Sequence, residues 1–60
     1  MIELITISLK DTDVRTAMHW CNARSVGEYF HSIVTYDWQC ILVFKIPRSV
    51  LTEVKKRLAV

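Results

Sequence analysis

Two histidines and two cysteines, His19, His31, Cys21 and Cys40, are the residues of this 60-residue chain best equipped to ligate a metal or to pair as nucleophile and base. Their spacing works against both roles. His19 and Cys21 lie two apart in a stretch with helical periodicity, so they point about 200° away from each other and cannot share a ligand. His31 could approach Cys40 across a hairpin, but an isolated histidine and a core cysteine are more simply read as packed residues. With a single glycine, Gly27, the chain has no phosphate-cradling loop. No pair of carboxylates marks an evident cleft, and a chain of this length barely encloses a pocket of ligand size. The expectation is therefore a protein that is not an enzyme and carries no cofactor and no metal.

The aromatic and basic residues suit a different chemistry, that of a binding surface. Trp, Tyr and Arg dominate the energetics of protein interfaces. Trp20, Tyr29, Tyr36, Trp38 and Arg48 are the candidates here, with Lys55 and Lys56 adding charge. The net charge of +2 is unevenly placed. Lys45, Arg48, Lys55, Lys56 and Arg57 face only Glu53 in the last sixteen residues, giving +4, while residues 1–44 carry −2. A basic C-terminal end favours an acidic partner, protein or nucleic acid. Aromatic strands beside a basic helix could also stack bases and meet phosphates, so a nucleic-acid-binding protein is the alternative reading.

Composition sets the scale of the scaffold that must hold these groups. Hydrophobic residues make up 52% of the chain, with one Gly and one Pro, the opposite of a disordered segment. A chain of 7.0 kDa hides only about 60% of its surface on folding, so one domain spanning residues 1–60 is the ceiling. Such cores are commonly supplemented by disulfides, metals or oligomerisation. No secretory leader and no membrane-length apolar run is present, which points to a soluble, cytoplasmic protein with reduced thiols, a Cys21–Cys40 disulfide being the less favoured option.

Ile2–Leu9 is β-branched and partly alternating, as a strand requires. Lys10-Asp11-Thr12-Asp13 offers helix caps, and Val14, Ala17, Met18 and Cys21 then form one helical stripe. The helix is expected to end near Ser25, with Gly27 as its left-handed terminator. Residues 29–46 read as two strands, the second pointing Trp38, Cys40, Leu42, Phe44 and Ile46 one way, with a turn near Tyr36-Asp37 or a bend at Ser32. Pro47 stops that strand, Ser49 is a cap candidate, and Val50, Leu51, Val54 and Leu58 form the apolar arc of a second helix.

This order predicts an α+β fold, β-α-β-β-α, with a three-stranded antiparallel sheet, the third strand central, and two helices on one face. Both faces of the sheet then carry large apolar groups and two helices cover only one. A second copy of the chain, giving a homodimer, or a partner protein is expected on the other face.

The segment Trp20-Cys21-Asn22-Ala23-Arg24-Ser25-Val26-Gly27-Glu28-Tyr29, placed between a first strand and a Trp-containing hairpin ending in Val43-Phe44-Lys45, resembles short uncharacterised tailed-phage accessory proteins of β-α-β-β type. That resemblance implies a virus-encoded protein that binds a host protein, in host takeover or against a defence system, and inhibits or redirects it.

Overall fold

Three strands and two helices follow one another as the periodicity predicts. They are β1 (Ile2–Lys10), α1 (Val14–Ala23), β2 (Phe30–Tyr36), β3 (Gln39–Pro47) and α2 (Leu51–Leu58), with single 3₁₀ turns at Gly27–Tyr29 and Arg48–Val50. These elements come from a computed structural model that describes residues 1–59.

The sheet order is β1-β3-β2 and both pairings are antiparallel, so β3 is central. β1 runs alongside it from Ile2 opposite Pro47 to Lys10 opposite Gln39. β2 pairs from Tyr36 opposite Gln39 back to Phe30 opposite Phe44, with a bulge between Phe30 and Ser32.

Alternate residues of β3, Cys40, Leu42, Phe44 and Ile46, are buried, and α1 contributes Ala17 and Cys21 to the same cluster while α2 contributes Val54 and Leu58. Both helices therefore cover the same face of the sheet. Phe30 sets its ring edge-on to Phe44 at 6.2 Å and 79°, a favoured aromatic geometry that locks the start of β2 onto the central strand.

The end of α1 departs from the sequence expectation. Gly27 does not have positive φ; Ser25 takes the left-handed conformation, at φ 56°. The Ser25 N–H bonds to Asn22 C=O at 3.1 Å and the Val26 N–H to Cys21 C=O at 3.2 Å, the paired bonds of a Schellman cap. Val26, just beyond the cap, is fully buried and makes the closure part of the core. Burial of Val26 thus selects which residue turns left-handed, and Ser25 accepts the strain that a glycine would avoid. At α2, Ser49 does not cap: the helix starts after Val50, with no side-chain cap, from the 3₁₀ turn that Pro47 opens.

At the start of α1, by contrast, Asp13 is the cap, accepting the Thr16 N–H at 2.8 Å. This bond holds the Asp13 carboxyl below its ordinary value. The lowered value means that the stabilisation is complete above the ordinary Asp range and is lost as pH falls through the lowered one. Asp13→Asn, which keeps a capping oxygen, should flatten this part of the acid-unfolding curve below about pH 4 without lowering the melting temperature at neutral pH.

Ser25→Gly should raise stability by about 0.5–1 kcal/mol, several degrees in Tm for a chain this small. A Cβ on Gly27 would meet only Asn22 Oδ1 at 3.5 Å, an ordinary contact. Gly27→Ala should therefore leave thermal unfolding within about 0.5 kcal/mol of the parent.

Candidate functional site

The face of the sheet opposite the helices is open. By register it carries Ile2, Leu4, Thr6, Ser8 and Lys10 from β1, Gln39, Ile41, Val43, Lys45 and Pro47 from β3, and Ser32, Val34 and Tyr36 from β2. Leu4 is 63% exposed, Val34 52% and Tyr36 63%, and with Val43 and Ile41 they form a band running obliquely across the sheet.

The face is less apolar than the sequence reading expects. Thr6, Ser8, Ser32 and Gln39 punctuate it, and Ser8 Oγ donates to Gln39 Oε1 at 2.7 Å between neighbouring strands. Its only charged residues by register are Lys10 and Lys45, both exposed. The sheet face itself is therefore cationic.

One end of this face is closed by a double corner. Asp37 and Trp38 form the two-residue turn between β2 and β3, with Asp37 at φ 53°, the conformation that a short polar side chain tolerates where glycine is missing. Asp11, also at φ 53°, turns the chain from β1 towards α1, and its N–H donates to the Trp38 carbonyl. The two turns are thereby tied to each other, and the backbone of Trp38 is fixed while its side chain is 80% exposed. Shallow, open depressions border the ring, lined by Lys10, Asp11, Asp37 and Gln39 on one side and by Thr12, Val14 and Thr35 on the other.

Trp38 thus differs from the sequence expectation that grouped it with the inward residues of β3. The alternation stops at Cys40 because the chain is already turning at Trp38. Of the seven candidate interface residues, Tyr36 stands on the open face by register and Trp38 at the turn that follows it. Trp20 is half-buried against the core, with the Arg24 guanidinium stacked 4.1 Å from its ring centre. Tyr29 also packs on the core from the helix side. Arg48 follows β3 at the opposite end of the sheet and binds Glu3, Nη2 to Oε1, at 3.0 Å. Lys55 and Lys56 are exposed on α2, in the layer behind the open face.

Lys10, Lys45 and the band from Leu4 to Val34 belong to the surface but not to the sequence-derived set. Their signal was parity: Lys10 shares the alternation of Ile2 and Leu4, and Lys45 that of Ile41 and Val43.

The metal-capable residues are dispersed. His19 and His31 are exposed, whereas Cys21 and Cys40 are buried and free, and among the described residues no three His, Cys, Asp or Glu side chains gather as a ligand set. The Cys40 thiol donates to the Thr12 carbonyl at 2.9 Å. Burial pushes the Cys21 thiol above its ordinary value, against a smaller opposing effect of the nearby Arg24 charge. No helix among the described residues is long and apolar enough to cross a membrane.

Compared with family models, curated proteins and solved structures, the chain matches none.

Both thiols should resist a water-soluble alkylating reagent at about pH 8 in the native state and react fully in denaturant, as counted by mass spectrometry. Rapid native labelling of Cys21 would mean that α1 opens independently of the sheet.

Proposed function

We propose that this chain is a small non-enzymatic interaction protein that acts stoichiometrically, binding a partner protein through the open sheet face and the Trp38 corner and blocking the surface it covers. The observation that carries this reading is the 80% exposure of Trp38 on a turn whose backbone is tied down. With the backbone tied, only the two side-chain torsions of Trp38 remain to be ordered on binding, and its ring offers a large apolar area, the properties of an interface anchor. Tyr36, Val34 and Leu4 extend that apolar surface, and Lys10 and Lys45 give it positive charge. The partner it fits is a protein with an acidic, partly apolar patch.

The resemblance to tailed-phage accessory proteins extends the proposal to a virus-encoded protein acting in the host cytoplasm, in host takeover or against a defence system. Arg48, Lys55 and Lys56 are secondary in this reading, since Arg48 is paired and the two lysines lie on the other layer.

Nucleic-acid binding is the second reading, and the observation favouring it is the same pairing of exposed aromatics with two lysines on one sheet face. The acidic groups at the Trp38 corner, Asp11 and Asp37, work against a phosphate backbone there, and for the same reason the partner protein's acidic patch lies over Lys45 and its apolar part over Trp38.

The test is capture from nuclease-treated lysate of the native host, followed by titration of the captured protein with variants. Trp38→Ala should weaken binding at least about tenfold and Lys45→Glu should weaken it most at low salt, while Lys55→Glu should change it less than about twofold. Wild-type affinity of Trp38→Ala would refute the assignment of the surface. Capture abolished by nuclease and steeply salt-dependent would move the function to nucleic acid.

A further inference from the structure

The outer edge of β1 is the least protected feature of the molecule. β1 lies at the margin of the sheet, while α1 packs mainly on β2 and β3 and α2 mainly on β3. Its inward residues Ile5, Ile7 and Leu9 are only half-buried, as are Phe30 and Ile33 on the other edge strand, although all of them face the core. The other edge strand carries a bulge between Phe30 and Ser32, a common device against edge-to-edge pairing. β1 has no bulge, no proline, and no charge between Leu4 and Leu9.

The hydrogen bonds at the ends of β1 show which backbone groups are unused. The Arg48 N–H donates to Met1 C=O at 3.0 Å and the Asp11 N–H to Trp38 C=O, both continuing the β1–β3 register. In an antiparallel ladder, directly opposed residues alternate between bonded and non-bonded pairs. Odd-numbered residues therefore bond to β3, and Ile2, Leu4, Thr6, Ser8 and Lys10 turn their N–H and C=O groups outward. Pro47 fits this parity: it faces Ile2, a position that asks nothing of its missing N–H.

We propose that this edge pairs with the β1 edge of a second copy, antiparallel and centred on Thr6, to form a continuous six-stranded sheet. The strand is self-complementary about Thr6. A two-fold axis there sets Thr6 opposite Thr6, Leu4 opposite the second copy's Ser8 and Ile2 opposite its Lys10, using all five outward-facing residues in about ten backbone bonds. The same register sets Ile5 against the second copy's Ile7 on the helix side, so four half-buried isoleucines join into one cluster bridging the two cores. Charge favours the antiparallel sense: it sends the two Lys10 side chains to opposite ends, whereas parallel pairing would stack them. The second copy is thus placed on the edge of the sheet, leaving the open face of both copies free for a partner.

Sedimentation equilibrium of the full chain from about 1 µM to about 1 mM should show a monomer–dimer equilibrium. Thr6 is exposed and its side chain lies on the open face, so charge there leaves the core intact. Thr6→Lys should weaken the dimer at least about tenfold, as should Thr6→Glu, and an equimolar mixture of the two should restore it. Among antiparallel pairings of two β1 edges, residue 6 faces its own mate only in the Thr6-centred one, so this rescue is specific to that register. Trp38→Ala should dimerise as the parent does, which separates this proposal from the partner-binding one. A monomer throughout the range, a dimer indifferent to Thr6→Lys, or a mixture no more dimeric than its components would each overturn it.

Discussion

The alternation of β3 governs the molecule. Cys40, Leu42, Phe44 and Ile46 are each at most 1% exposed, and every other element is placed by what it packs against them. A sixty-residue chain has material for one covered side of a sheet, and the central strand decides which side. Because side-chain direction in a strand alternates strictly, a slip of one residue in β3 would send this row to solvent and bring Gln39, Ile41, Val43 and Lys45 under the helices, stranding a lysine in the core. That penalty holds the register, and the register in turn aligns β1 and β2.

From this follow the two different kinds of incompleteness in the structure. The open face is incomplete in apolar cover, though Thr6, its two serines, Gln39 and its two lysines keep it compatible with water. The β1 edge is incomplete in hydrogen bonding, because alternate residues along an unbulged nine-residue margin turn their backbone groups away from β3. A face of mixed polarity suits a partner of matching charge, whereas an edge with unpaired backbone groups is best matched by another strand. With the two separated, the proposed second copy and the proposed partner would occupy different parts of the molecule.

The turns show how local chemistry serves this arrangement. Among the described residues three non-glycines, Asp11, Ser25 and Asp37, have positive φ. Two of them are aspartates at neighbouring corners, joined by the bond from the Asp11 N–H to the Trp38 carbonyl, and that junction presents Trp38. The third closes α1 so that Val26 can enter the core. In each case the long-range arrangement dictates where the chain must turn, and a residue of moderate tolerance takes up the conformation.

Strand and helix positions were legible in the sequence because they rest on periodicity: the β-branched run of Ile2–Leu9, the stripe of Ala17 and Cys21, the arc of Val54 and Leu58, and the alternation from Cys40 to Ile46 all carry their own direction. Topology followed from element order and the handedness of the crossover. The candidate surface was legible only in part. Tyr36 stands on the open face as an aromatic strand residue of the right parity, but Trp38 looked like the first inward residue of β3, since nothing in composition says where alternation yields to a turn. Trp20 and Tyr29 could not be told from exposed anchors until the core was assembled around them, and Lys55 and Lys56 could not be assigned a layer before the helix was docked. What the sequence determined by itself was thus the set of elements and their buried stripes, which depend on spacing within a few residues. What only the tertiary structure decided was which exposed groups share a surface and which strand edge is left open, because these depend on register and docking between segments far apart in the chain.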